Sequence, residues 1–189
     1  MTAVPVTERM TAEEFLALPE PERGWPSNLI AGEVVVNDPT ILHGEIQGEL
    51  YLAFSTWVGA ASGRGKVVLP IDVGLDERNV FKPDILWYAG SRAPARLDRP
   101  PYPMPDLAVE VRSPSTWRYD IGLKKGAYER HGLPELWLVD TDADAVLVFR
   151  RSEPTAPTFD VSLELAREDD LRSPLLSGFV LPVAALFPR

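Results

Sequence analysis

The sequence predicts an α/β fold, a mixed β-sheet flanked by helices, and three observations lead there. Residues 105–140 read as strand, polar loop, helix and strand. The apolar run Leu107-Ala108-Val109-Glu110-Val111 breaks at Ser113-Pro114-Ser115-Thr116, whose hydroxyls suit a helix start. A helical stretch then closes at His131-Gly132, a C-terminal glycine signal. Earlier, Ile41, Leu42, Ile46, Leu50, Ala53, Phe54 and Trp57 recur at steps of three and four, the period of a long helix. Near the end, residues 145–150 and 158–166 read as antiparallel strands after an acidic turn.

In chain order, residues 1–10 are expected to be a loose arm and residues 11–189 one domain. A chain of 189 residues is long enough to bury a core. Thr11 is placed to cap a short helix over 12–18, which Pro19 and Pro21 stop. Residues 20–27 are a loop, and 29–36 a strand that turns at Gly32. The long helix follows Pro39 and ends near Val58, with Gly63-Arg64-Gly65 as a turn behind it. Residues 66–73 and 80–88 are strands around an acidic turn at 72–79. Residues 90–103, with four prolines and three arginines, are irregular. The central strand covers 107–112, its helix 119–130, and the next strand 136–139. The tail, 173–187, carries irregularly spaced apolar residues and is expected to lie as a lid over one sheet edge.

Composition removes several kinds of chemistry. There is no cysteine, which excludes disulfides, thiolate zinc sites and cysteine nucleophiles. With two histidines, His43 and His131, a metal must be held mostly by oxygen, which favours Mg²⁺ or Mn²⁺. No leader-like segment and no apolar run near membrane length is seen, so no membrane partner and a cytoplasmic location are expected. The net charge of −9 argues against nucleic acid, but it is unevenly spread. Residues 82–131 hold nine Lys or Arg against six Asp or Glu, a local excess of +3.

Glu110 is the oddity, a carboxylate inside an apolar strand. Buried without a partner it costs several kcal/mol, so a cation, a metal or a catalytic task is expected beside it. Alternation puts Asp106, Ala108, Glu110 and Arg112 on one face, and Leu107, Val109 and Val111 on the other. If the strand carrying Asp84 is its neighbour, Asp84 and Glu110 converge on one divalent cation, with the Val111 carbonyl as a further oxygen ligand. Such a cation orients a phosphodiester and lowers the pKa of an attacking water. Lys124, in register with Asp120 and Tyr128 on the helix, can neutralise developing charge. Plainer readings stand beside these. Asp84 can be a strand-edge aspartate after proline, and Glu110 can form a buried pair with Arg112 or Lys124. Asp120 and Lys124 can be a surface i,i+4 pair worth roughly 0.3–0.5 kcal/mol.

The run Pro105-Asp106-Leu107-Ala108-Val109-Glu110-Val111-Arg112-Ser113-Pro114-Ser115-Thr116 resembles the signature of the bacterial Uma family of "putative restriction endonucleases". Tyr119-Asp120, Lys124, Tyr128 and Gly132-Leu133-Pro134-Glu135-Leu136-Trp137-Leu138-Val139-Asp140 continue the likeness. Gly32-Glu33, His43 and Pro83-Asp84 extend it loosely across residues 10–187. That family belongs to the PD-(D/E)XK nuclease superfamily. The resemblance implies a restriction-endonuclease-like core and Mg²⁺-dependent cleavage of DNA. It assigns metal binding to Asp84 and Glu110 and the catalytic lysine to Lys124. The superfamily's lysine usually stands two residues after the glutamate, where this chain has Arg112, always charged and unable to exchange a proton. His43 is either an exposed helix-start residue or, on the resemblance, a group lining the cleft beside the metal. Ser113, Asp120, Tyr128 and Arg112 complete the candidates, and Glu33 and Glu45 are weaker ones.

The favoured function is a metal-dependent DNA endonuclease acting as a homodimer. The competing one is a non-catalytic nucleic-acid-binding or scaffold protein on the same fold. Hydrolysis of another phosphate ester is a third. Other motifs fail: residues 140–151 lack the glycine and terminal glutamate of a calcium loop, and Gly63-Arg64-Gly65-Lys66 lacks the Ser or Thr of a phosphate loop.

Overall fold

The computed structural model describes residues 9–24 and 26–187. Thr11 caps α1 (Ala12–Ala17) with a complete capping box to Glu14, as its spacing predicts. The arm expected over 1–10 lies outside the described residues as far as residue 8, and Met10 is hydrogen-bonded to Gly32. Within the expected 20–27 loop a helical turn forms, α2 (Glu20–Arg23). A hairpin follows, β1 (Ser27–Ile30) and β2 (Glu33–Val36), and then the long helix α3 (Ile41–Gly59).

The two strands expected over 66–73 and 80–88 each divide. The first yields β3 (Lys66–Val68) and β4 (Val73–Asp76), and the second β5 (Asn79–Phe81) and β6 (Ile85–Tyr88). Prolines sit at both breaks, Pro70 and Pro83, where a missing N–H cannot serve a ladder. The halves enter different sheets. β4 and β5 join the hairpin in a four-stranded sheet ordered β2-β1-β5-β4. β3 and β6 join β7 (Leu107–Val111), β8 (Glu135–Asp140), β9 (Ala145–Arg150) and β10 (Val161–Leu165) in a six-stranded sheet ordered β10-β9-β8-β7-β6-β3.

Between β7 and β8 runs one helical segment: α4 (Trp117–Tyr119), a π-helical turn (Asp120–Lys124) and α5 (Lys125–Arg130). This crossover makes β7 and β8 parallel, whereas the other pairings of the six-stranded sheet are antiparallel. The sheet is therefore mixed, as expected. Its two faces follow the alternation of β7. Leu107, Val109 and Val111 pack with Ile46, Leu50 and Phe54 of α3. Ala108 packs with Ala127 and Tyr128 of α5 on the opposite face.

The tail does not cap an edge. With β11 (Asp170–Leu171) and β12 (Leu181–Pro182), it lies on the α3 face, where Phe179 meets Phe54 at 5.0 Å between ring centroids. There its apolar side chains bury against α3 and the sheet, so their spacing follows that surface and no single period.

Gly65 holds β3 against the end of β6. Its φ is +77° and an added Cβ would sit 2.0 Å from the Tyr88 carbonyl oxygen, whereas Gly63, at φ +81°, faces open space. Gly63→Ala should cost about 1–2 kcal/mol, the left-handed penalty alone. Gly65→Ala should cost clearly more, because backbone must move; urea melts of the two variants compare them directly. Equal costs would show that the close approach is immaterial.

Candidate active site

The interruption between β5 and β6 at Lys82-Pro83-Asp84 is what assembles the site. Asp84 N–H still bonds the Val109 carbonyl at 2.9 Å, so the residue just before β6 stays attached to the β7 ladder. Its carboxylate reaches forward to the end of β7, where Oδ2 accepts the Val111 N–H at 2.7 Å. From α3, His43 Nε2 approaches the same oxygen at 3.2 Å, and one turn on, Gln47 donates to the Asp84 carbonyl at 2.9 Å. Thr40 caps α3 through the His43 N–H, which sets the start of the helix and thereby the reach of His43.

Glu110 points to the other face, toward the crossover helix. Its Oε1 accepts from Lys124 Nζ at 2.7 Å and from the Tyr128 hydroxyl at 2.7 Å. Lys124 Nζ also lies 2.9 Å from Asp120 Oδ1. The π-helical turn spans Asp120 through Lys124, the insertion that helices use where side chains must be re-aimed. Behind Asp120, its Oδ2 accepts from the Thr116 hydroxyl at 3.0 Å, and Thr116 meets Ser113 Oγ at 2.9 Å. The hydroxyls of the loop thus secure the acid that secures the lysine.

All of this is out of bulk water. Glu110 is 4% exposed, Lys124 2% and Asp120 2%. Burial raises the Glu110 carboxyl to about 8, against the pull of Lys124, which lowers it. Burial alone would lower the Lys124 ammonium, but Asp120 and Glu110 together hold it above the ordinary lysine value. Tyr128 is raised by burial and by the neighbouring Glu110. Three buried carboxyl groups, Asp84, Glu110 and Asp120, lie around the Lys124 ammonium and the His43 imidazole, and Lys82 lines one cavity with Lys124 and His43.

A cavity of about 350 Å³ opens onto these groups, with Asp84, Glu110, Val111, Lys124 and His43 in its wall. Asp84 Oδ1 and Glu110 Oε2 take no part in the bonds above. The β6–β7 ladder ends at the Ile85–Val109 pair, so the Val111 carbonyl, on the same side of the strand as its N–H, lies beyond it. Among the described residues, no three His, Asp or Glu side chains are grouped so as to hold a metal by themselves.

The predicted residues fall into two groups. Asp84, Glu110, Val111, Lys124, His43, Asp120, Tyr128 and Ser113 come together. His43 is 3% exposed, not a solvent-facing helix-start residue, and Asp120 with Lys124 is a buried pair, not a surface one. Arg112 does not join. It follows the last residue of β7 and turns to Asp140 at 2.7 Å, with its guanidinium over the Trp117 ring. The acidic turn after β8 is a nearer and wetter partner than Glu110. Glu33 and Glu45 are exposed and do not line the cavity. Sequence reasoning missed Gln47, whose signal is its i+4 spacing from His43. It also missed Lys82 and Asn28, which line the cavity from the four-stranded sheet's side.

The fold and the chain have known counterparts. A crystallised "putative nuclease belonging to DUF820" from Anabaena variabilis is similar, with a TM-score of 0.77 and 23% identity, over 94% of this chain and 97% of that one. At that identity the likeness shows the fold alone. No curated protein matches the chain. The family model Uma2, described as "Putative restriction endonuclease", matches residues 12–184. Spanning nearly all of the described residues, that match places the chain in the Uma2 family.

Proposed function

We propose that the cavity is the active site of a metal-dependent DNA endonuclease, with Asp84 and Glu110 as ligands of Mg²⁺ (or Mn²⁺) and Lys124 as the transition-state cation. The observation that carries this is that Asp84, just before β6, and Glu110 of β7 line one cavity with Lys124, which is bonded to Glu110. Family membership supports it. The residues fit an oxygen-ligated cation: two carboxylates with an oxygen each outside the internal hydrogen bonds, and a strand carbonyl beyond its ladder. Water would have to complete the set, since among the described residues no three His, Asp or Glu side chains are placed to hold a metal together. A divalent cation bound there supplies an attacking water of lowered pKa and screens the leaving oxygen.

The chain's own residues have separable tasks. Lys124, kept charged by Asp120, offers its ammonium to a phosphoryl oxygen that gains charge as the bond to phosphorus breaks. His43 and the Val111 N–H hold Asp84 Oδ2 and leave Oδ1 outside those bonds. Tyr128 does the same for Glu110. Arg112, engaged at Asp140, cannot stand in for the lysine. A homodimer and a cytoplasmic location belong to this reading as proposals.

The direct test is Mg²⁺- or Mn²⁺-dependent nicking of plasmid by the purified chain, with Glu110→Ala and Lys124→Ala as controls. The expected result is nicking by the parent, abolished by chelation and in both variants. Cleavage that survives in both variants would overturn the assignment. The second reading is a non-catalytic nucleic-acid-binding protein, favoured by the fact that no three His, Asp or Glu side chains among the described residues are grouped to hold a metal. Calorimetric titration with Mn²⁺ separates the two: that reading expects no binding dependent on Asp84 and Glu110.

A further inference from the structure

Beside the acidic cluster lies a second buried charged group that the proposed reaction does not use. Asp72, 6% exposed, stands between two cations, with Lys82 Nζ 3.3 Å from Oδ1 and Arg23 3.3 Å from Oδ2. Arg23 also reaches Glu20, a surface acid, at 3.9 Å, and lies over the Phe15 ring. Lys82 is 6% exposed, yet it lines the same cavity as Asp84 and Glu110, two residues before Asp84 in the chain. Asn28, which accepts the Lys82 N–H through Oδ1 at 2.7 Å, fixes that stretch of backbone and lines the cavity as well. Of this second group only Lys82 lines the cavity. The wall thus carries the acids Asp84 and Glu110 and, from the β5 side, a lysine whose carboxylate partner Asp72 lies outside the lining.

A phosphodiester chain has the matching pattern. Its phosphates are spaced along the strand, and one lodged at the acidic, cation-binding end leaves a neighbour within the same cavity. We infer that Lys82 is an anion-binding residue for a backbone phosphate flanking the scissile one, held in reserve by Asp72 until nucleic acid enters. The inference rests on the nuclease reading of the cavity. Arg23 keeps Asp72 partnered when Lys82 turns to phosphate, so the exchange strands no carboxylate. The Lys82–Asp72 contact, at 3.3 Å, is the looser kind of pair that a phosphate can displace.

The experiment uses the full chain and a fluorescein-labelled single-stranded decamer, followed by anisotropy in chelator across a KCl series. Two variants should move in opposite directions. Lys82→Ala should weaken binding roughly tenfold, the loss of one charge-assisted bond. It should also flatten the slope of log affinity against log salt by about 0.7, the share of one phosphate on a single strand. Asp72→Asn, which releases Lys82 from its carboxylate, should tighten binding. A merely structural salt bridge predicts loss of stability in both variants and no opposed change in affinity. Lys82→Arg should restore the slope. If the parent binds and nicks while all three variants keep its affinity and slope, the inference falls and the nuclease reading stands. If the parent neither binds nor nicks, both fall together.

Discussion

Lys124→Met is expected to abolish nicking, by at least about 100-fold, and to destabilise the protein by about 3–5 kcal/mol. The first effect removes the cation that answers charge on the phosphoryl group. The second is larger than for an ordinary lysine because the ammonium is 2% exposed and bridges Glu110 at 2.7 Å and Asp120 at 2.9 Å. Without it, two carboxylates face each other in a buried space. Methionine keeps the stem against Phe81, so the loss is one of charge, with the packing largely retained. The deficit should also depend on pH in a definite sense. Carboxylates left buried bind protons more tightly when folded than when unfolded, so the variant recovers stability as pH falls and loses it as pH rises. Thermal melts at pH 5 and pH 8 measure this. A deficit that is equal at both, or larger at pH 5, would show that the cluster does not carry the charges drawn here.

Glu110→Gln is expected to separate function from stability. Nicking should fall by at least about 100-fold, since an amide is a poor ligand for a hard cation. Stability should move the other way at alkaline pH. In the parent, the folded Glu110 carboxyl is raised to about 8 from its ordinary 4.5, first by burial. A group raised in this way contributes stability that is complete below its unfolded value and is lost as pH rises through about 8. Glutamine has no such titration and still accepts from Tyr128 and Lys124 through its oxygen. The variant should therefore melt near the parent at pH 5 and above it at pH 9. The measurement is the difference in melting temperature across that range. A variant less stable than the parent at pH 9 would mean that the Glu110–Lys124 attraction outweighs the cost of burying the charge. A gain in stability with loss of nicking would describe a Glu110 kept at the expense of stability, as expected where an ionisable group serves chemistry.

Much of this molecule is legible in its residues. The period of α3, the capping of α1 by Thr11 and the turn at Asp140 follow from local rules and are found in place. So is the assignment of Leu107, Val109 and Val111 to one face and Glu110 to the other, because a strand's alternation is fixed by covalent geometry. Local rules failed where the chain had a choice between partners. The stretch over 80–88 reads as one strand because its apolar content is continuous, yet Pro83 divides it between two sheets. Arg112 shares a face with Glu110 on paper, but beyond the end of β7 its long side chain is free to turn, and Asp140 takes it.

The sequence by itself determined the mixed α/β architecture, the mainly oxygen ligation open to a metal, and the candidates Asp84, Glu110 and Lys124. Those are properties of composition, periodicity and motif. Only the tertiary structure decided which charges meet. The π-helical turn draws Asp120 onto Lys124, the first residues of α3 bring His43 to Asp84, and the break before β6 sets Lys82 in the same cavity wall. The physical reason is that a buried charge is defined by its neighbours across the fold. A sequence records how far apart two residues lie along the chain, and in the folded protein Asp84 and His43, 41 residues apart, share a hydrogen bond.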